Sequence, residues 1–236
     1  MSMFDPEHPG WHLVTPVDLA RAPWRSICEI EVRDPGGVSG VGTGWLVGSR
    51  TIVTAAHVLA IQADAPDVSV NVHFPRTPQR FTAVQRAIHP RFGMASVGKL
   101  DPFDIAALFV PDVVGTPLRI GTFPSIDGSI ELSGFPEISG GSCVTQVSHA
   151  IRPDSDIVLY KADAAGGHSG APIVARVGAL DGVVVALHVI GFGGNPHDNG
   201  LWNVGLGLDG ERRRFLQDQL LAWEPIARDR FAVGSR

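Results

Sequence analysis

Basic residues are the minority charge in this 236-residue chain: 19 lysines and arginines stand against 24 aspartates and glutamates, a formal net charge of −5. A protein whose main partner is duplex nucleic acid normally carries a basic surplus that neutralises phosphates, so no nucleic acid is expected as partner. Long apolar runs are also lacking. The longest, 182–194, is short for a membrane span and contains His188, so no membrane association is expected. The opening residues, Met1 to Pro9, have neither a basic n-region nor an apolar h-region, and no signal peptide is expected. Cysteine is scarce. Cys28 and Cys143 lie far apart, and the expectation is two reduced, partly buried thiols in a cytoplasmic protein. No H-E-x-x-H pattern occurs, and no metal or cofactor is expected. Short repeats and low-complexity runs are absent, and nothing reads as a long helix before the last part of the chain.

What is abundant is glycine, 28 residues, and proline, 18, in a chain that is 44% hydrophobic. That many backbone breakers, with enough apolar residues for a core, point to short strands joined by turns. Ile27 to Val32 alternates apolar and polar residues, the period of a half-buried strand. Further strands are expected at 41–47, 51–54, 68–74, 80–88 and 105–110. A second series is expected at 129–133, 143–147, 157–161, 171–174, 182–190 and 201–206. Glu211 to Trp223 then places Phe215, Leu216, Gln219, Leu220 and Trp223 at helical spacing. The expected organisation is all-β: an N-terminal extension over 1–22, a first β unit over 23–122, and a second over 123–236 that ends in a helix.

Three local patterns carry chemistry. Thr54-Ala55-Ala56-His57-Val58 closes a strand, Asp104-Ile105-Ala106-Ala107-Leu108 opens one, and Gly166-Gly167-His168-Ser169-Gly170-Ala171-Pro172 is a turn of small residues. A serine hydroxyl is a poor nucleophile at neutral pH. An imidazole within hydrogen-bond reach takes its proton, and a carboxylate on the other ring nitrogen fixes the tautomer and stabilises the imidazolium. Backbone N–H groups, here those of Gly167 and Ser169, can converge on a developing oxyanion where no bulky side chain intrudes.

In this order and setting the patterns resemble the trypsin-like (chymotrypsin-fold) serine proteases. The absence of a cysteine after Thr-Ala-Ala-His-Val is more similar to the V8-like glutamyl endopeptidase branch. His89-Pro90, Tyr160, Ala186-Leu187-His188, Gly193-Gly194 and Asn199-Gly200 add to the likeness, which covers about residues 25–223. The resemblance implies two packed six-stranded antiparallel β-barrels with a C-terminal α-helix, and a cleft between them. It implies His57 as general base, Asp104 as its orienter, Ser169 as nucleophile, and an oxyanion hole from Gly167 and Ser169. Asp101 competes for the acid role, and Ile-Ala-Ala-Leu after Asp104 favours the latter. His168 stands where trypsins keep an aspartate that binds a newly freed N-terminus, so that activation route is not expected. His168 reads instead as a side chain packed beside the oxyanion loop.

The implied substrate pocket holds Asp163, Ala164, His188, Gly191 and Gly200. Its signals conflict. Asp163 stands where trypsins keep a carboxylate for Arg or Lys, and His188 where V8-like enzymes bind glutamate. A pairing of Asp163 with His188 would leave the pocket nearly neutral, and all three outcomes stay open. The resemblance implies a protein or peptide substrate and, by analogy with bacterial enzymes that lack secretion signals, an activating or sensor protein. The reading from another class is a catalytically silent scaffold on the same fold.

Other patterns are set aside. Gly205-Leu206-Gly207-Leu208-Asp209-Gly210 is a literal G-x-G-x-x-G, but no βαβ unit can follow it. Gly167-His168-Ser169-Gly170-Ala171 approaches the α/β-hydrolase elbow, yet Pro172 follows where that fold needs a helix. His8 and His12 enclose Pro9 and Gly10, which spoils a helical metal pair. Arg212-Arg213-Arg214 reads as a solvated helix face.

Overall fold

The computed structural model describes residues 10–60, 67–93, 100–113, 115–122, 128–153, 156–191 and 202–224. Strand β1 (His12–Leu13) lies in the N-terminal extension. Then come β2 (Ile27–Asp34), β3 (Gly37–Leu46), β4 (Thr51–Thr54), the short helix α1 (Ala56–Ala60), β5 (Ser69–His73), β6 (Arg80–Thr82), β7 (Gln85–Ile88) and β8 (Ala106–Phe109). The second series is β9 (Gly128–Gly134), β10 (Val144–Ile151), β11 (Ile157–Tyr160), β12 (Pro172–Ala175), β13 (Val184–Ile190) and β14 (Asn203–Gly207), and α2 (Gly210–Trp223) follows. All the pairings between these strands are antiparallel. This is the double-barrel architecture that the resemblance implies.

In the first sheet the order is β6-β5-β2-β3-β4-β8-β7. The stretch expected as one strand over 80–88 bends at Ala83 and Val84. Ala83 N–H donates to Val70 O and Val84 N–H to Phe109 O, so β6 joins one edge of the sheet and β7 the other. Counted as one bent strand, they make the sixth member of a curled sheet. In the second sheet β9 pairs with both β10 and β12, which closes a six-stranded ring through β11, β14 and β13. Outside that ring β1 adds to β10, with His12 opposite Thr145 and Leu13 opposite Val144.

The period-2 strands bury one face each. In β2, Cys28, Ile30 and Val32 are fully buried while Glu29, Glu31 and Arg33 turn outward or lie at half depth. Cys28 and Cys143 are free and buried, and burial holds both thiols in the protonated form. No helix among the described residues is long and apolar enough to cross a membrane.

Helix α2 buries Phe215, Leu216 and Leu220, each contributing about 1.5–3 kcal/mol. The same face carries Arg212, only 3% exposed, which corrects the expectation of a solvated arginine run. Its guanidinium donates to Gly207 O, to Pro102 O at 2.9 Å and to Asp156 at 2.8 Å. A buried cation needs such a full set of acceptors.

The helix is fastened by Glu224 just after its end. The carboxylate accepts Ser49 N–H at 2.9 Å, Arg50 N–H at 2.9 Å, Thr51 Oγ1–H at 2.6 Å and the Ser49 hydroxyl. Burial alone would raise its pKa. The Ser49 and Thr51 hydroxyls and the Arg50 and Ser49 amides outweigh it, and the net shift is downward. A carboxylate with a lowered folded pKa stabilises above its unfolded value and loses that contribution as pH falls through the folded value. Glu224→Ala is therefore expected to cost about 1–3 kcal/mol in urea unfolding at pH 7. The difference from wild type should shrink as pH falls below the ordinary carboxylate range. An equal difference at every pH would contradict this role.

Candidate active site

His57 stands on α1, directly after β4. Ala55, Ala56, Val58 and Leu59 around it are buried, which leaves the imidazole side chain 39% exposed at the sheet edge. Asp104 precedes β8 and is 6% exposed. Because β4 and β8 pair, with Thr54 opposite Ala106, the histidine and the carboxylate meet at the same end of the ladder. Asp104 accepts His57 N–H at 2.8 Å through Oδ1 and His57 Nδ1–H at 2.5 Å through Oδ2. One carboxylate thereby fixes both the backbone and the ring of one residue. Asp101 caps its own turn instead, accepting Gly93 N–H at 3.0 Å and Phe103 N–H at 2.8 Å.

The loop that carries Asp104 is held from three sides. His89 stacks on Phe103, with centroids 4.7 Å apart. The Arg91 guanidinium lies 4.1 Å from the same ring. Arg212 reaches across from α2 to Pro102 O.

Ser169 comes from the second sheet, in the turn before β12. Its Oγ lies 2.7 Å from His57 Nε2, in position to donate its proton there. Asp104, His57 and Ser169 thus form one hydrogen-bonded chain, the arrangement of a catalytic triad. The turn is tied to the first sheet by Thr43 on β3, which sequence reasoning passed over as an ordinary strand residue. Thr43 N–H donates to Ser169 O at 2.9 Å, its Oγ1–H donates to Gly167 O at 2.7 Å, and the same oxygen accepts Phe135 N–H at 3.0 Å. Thr43 is fully buried, between Gly42 and Gly44.

Two positions of the turn require glycine. Gly167 has φ +93°, and a Cβ there would meet Phe135 O at 2.3 Å. Gly170 has φ +86°, and a Cβ would meet Thr43 O at 2.3 Å. Gly166 O accepts Glu137 N–H at 2.9 Å. In a trans peptide the N–H points opposite to the carbonyl, so the Gly167 N–H is turned away from Glu137. Neither Gly167 N–H nor Ser169 N–H donates to another described residue. Both are therefore available to a ligand.

Behind the serine turn, β13 runs alongside it: Gly170 N–H donates to His188 O at 2.8 Å and His188 N–H to Ala171 O at 2.9 Å. The His188 side chain is 2% exposed and its Nδ1 is hydrogen-bonded to the Tyr160 hydroxyl. Burial, then the neighbouring His168 and His57, hold its pKa well below the usual histidine value, so the ring is neutral. Burial likewise keeps Tyr160 protonated. The tyrosine proton has no other acceptor among the described residues, so Tyr160 O–H donates to Nδ1. The remaining nitrogen, Nε2, then carries the ring proton. It has no hydrogen-bond partner among the described residues and is not sealed from solvent.

The pairing of Asp163 with His188 is not formed. Asp163 is 4% exposed and turns its Oδ2 to Gly10 N–H at 3.1 Å, while its backbone bonds Gln146 Oε1 and Trp11 Nε1. Sequence spacing from Ser169 cannot tell which way that side chain turns. Ala164 and Gly191 do come together: a Cβ at Gly191 would lie 3.4 Å from Ala164 Cβ. Gly200 lies outside the described residues. His168 is buried beside the loop as expected, at 1% exposure. Among the described residues no group of three or more His, Cys, Asp or Glu could hold a metal ion.

Comparison with known proteins agrees with this geometry. Residues 42–187 match the model of the trypsin-like peptidase domain. No curated protein sequence matches the chain. Among solved structures, a glutamyl endopeptidase in complex with MPD superposes with a TM-score of 0.68 at 19% identity, covering 89% of this chain and 96% of its own. Mouse neuropsin, a serine protease expressed in the limbic system of the brain, superposes with a TM-score of 0.58 at 16% identity, covering 81% of this chain and 93% of its own. At such identities the superpositions speak to the fold, and the matched domain speaks to descent. By the domain match the chain belongs to the trypsin-like peptidase family and is a serine endopeptidase.

Proposed function

We propose that the enzyme is a regulated bacterial cytoplasmic endopeptidase that cleaves after residues with an uncharged hydrogen-bond acceptor. The observation that carries the chemistry is the unbroken hydrogen-bonded chain from Asp104 through His57 to Ser169. Ser169 Oγ attacks the scissile carbonyl carbon while His57 Nε2 takes its proton, and the Asp104 carboxylate stabilises the imidazolium. The carbonyl oxygen becomes an oxyanion, held by the Gly167 and Ser169 N–H groups. Collapse breaks the C–N bond, and His57 returns the proton to the leaving amine. Water, deprotonated by His57, then attacks the acyl carbon, and Ser169 recovers its proton as the carboxylic product leaves.

The pocket reading follows from how the two candidates are turned. Asp163, the candidate for attracting Arg or Lys, is buried and turns its Oδ2 to Gly10 N–H. His188, the candidate for attracting glutamate, is neutral and offers only an Nε2–H. With Ala164 and Gly191 as small walls, a neutral donor favours a side chain such as glutamine over one bearing charge. Location in the cytoplasm rests on the free thiols Cys28 and Cys143. A peptidase held among its own cell's proteins needs control, so an activating or sensor protein belongs to the proposal.

An unbiased peptide library, with cleavage sites mapped by mass spectrometry, tests this reading. Cleavage after glutamine in preference to glutamate, arginine and lysine is expected, with the ratio unchanged between pH 6 and 8 because His188 stays neutral. Dominant cleavage after arginine or lysine would show a free carboxylate in the pocket, and dominant cleavage after glutamate a cation. Either would overturn the neutral-pocket reading.

A further inference from the structure

The segment from Asp163 to Ser169 carries both backbone donors of the oxyanion hole; Thr43 and Glu137 hold its carbonyls at Gly166, Gly167 and Ser169, and Ala165 N–H donates to His168 Nδ1 at 3.2 Å. Between Asp163 and Ser169 the chain reads Ala-Ala-Gly-Gly-His, and His168 is the one large side chain. The N-terminal extension grips this segment at both ends. At its start, Trp11 Nε1–H donates to Asp163 O at 3.1 Å, and Gly10 N–H to the Asp163 carboxylate at 3.1 Å. Near its end, the Trp11 ring packs on His168, with centroids 5.3 Å apart and planes tilted by 55°. His168 sits between Gly167 and Ser169. One indole therefore touches the start of the loop and the residue between the two donors. Trp11 is only 5% exposed. It is held in place by the β1–β10 pairing and by Val14 N–H donating to Cys143 O at 3.0 Å.

We propose that Trp11 is a positioning residue for the oxyanion hole, and that the catalytic competence of Ser169 depends on docking of the Gly10–Val14 strap. Oxyanion donors act only within a fraction of an ångström of their place, and a loop of alanines and glycines depends for that place on the contacts that reach it from outside, those of Trp11 among them. The fold thus couples an N-terminal segment, reached from outside the cleft, to the chemistry inside it. An agent that lifts or seats the strap would switch the enzyme. This inference rests on Ser169 being the nucleophile, as proposed above.

The test uses the full chain with Trp11→Ala and Trp11→Phe, reading kcat and KM separately on one cleaved peptide alongside the thermal unfolding midpoint. Trp11→Ala is expected to lower kcat about 10²-fold with KM changed by no more than about threefold, and added indole to restore part of the loss. Trp11→Phe keeps a ring on His168 but lacks the N–H, and is expected to lose about tenfold in kcat. A folded Trp11→Ala protein with wild-type kcat overturns the proposal. If Trp11→Ala does not fold, Trp11→Phe decides: wild-type kcat overturns the proposal, and a lowered kcat at an unchanged midpoint supports it. Wild-type peptide hydrolysis that survives Ser169→Ala would instead overturn the serine-nucleophile reading itself, which separates the two failures.

Discussion

Ser169→Ala is expected to lower peptide hydrolysis by on the order of 10⁶-fold in kcat while leaving the fold intact. The loss is large because the residue's other contacts are not made by its side chain. The Ser169 carbonyl keeps its bond from Thr43 N–H, and the neighbouring glycines keep their positive φ, so the turn survives the substitution. Only the hydroxyl that lies 2.7 Å from His57 Nε2 disappears. No covalent intermediate can then form, and the residual rate comes from the oxyanion donors and substrate binding alone. Steady-state kinetics on a single peptide, with the unfolding midpoint as control, would check both halves. A variant within tenfold of wild type would exclude Ser169 as the nucleophile.

Asp104→Asn is expected to lower kcat by about 10⁴-fold. The reason lies in the two bonds this carboxylate makes to one residue. Oδ1 accepts the His57 backbone N–H and Oδ2 accepts the ring Nδ1–H. An asparagine offers one acceptor and one donor. If its NH₂ faces the ring, Nδ1 must become the acceptor, the proton moves to Nε2, and His57 can no longer take the proton of Ser169. If its NH₂ faces the backbone, two donors oppose each other and the turn into α1 is disturbed. Both arrangements fail, and for different reasons. Because hydroxide can restore the lost basicity, the variant is expected to gain activity at alkaline pH. A near-wild-type rate at neutral pH would contradict the assigned role.

The triad was legible because its members sit in short patterns whose neighbours also make sense: small residues around Ser169, a buried strand after Asp104, alanines before His57. The strands were legible through period-2 alternation, most clearly in β2, and their closure into barrels only through the family resemblance. The strand expected over 80–88 is two strands because local alternation carries no record of which neighbour each half pairs with. The contact of Asp163 was illegible for a similar reason. Its partner Gly10 is 153 positions away, and no local feature points to it. Arg212 could have been read correctly, since it shares a helix face with Phe215, Leu216 and Leu220. An arginine on an apolar face needs buried acceptors, and here they come from β14, α2's own lead-in and the loop before Asp104. Thr43 went unnoticed because its task is to join the two sheets, a relation that only the folded chain displays.

The measurement that bears most directly on the central claim is covalent labelling with a fluorophosphonate, followed by peptide mapping of the adduct. Wild-type protein is expected to carry one adduct, on Ser169, absent from Ser169→Ala and formed far more slowly in His57→Ala. A wild-type protein that takes no label, or takes it on another residue, would contradict an assembled Asp104–His57–Ser169 triad.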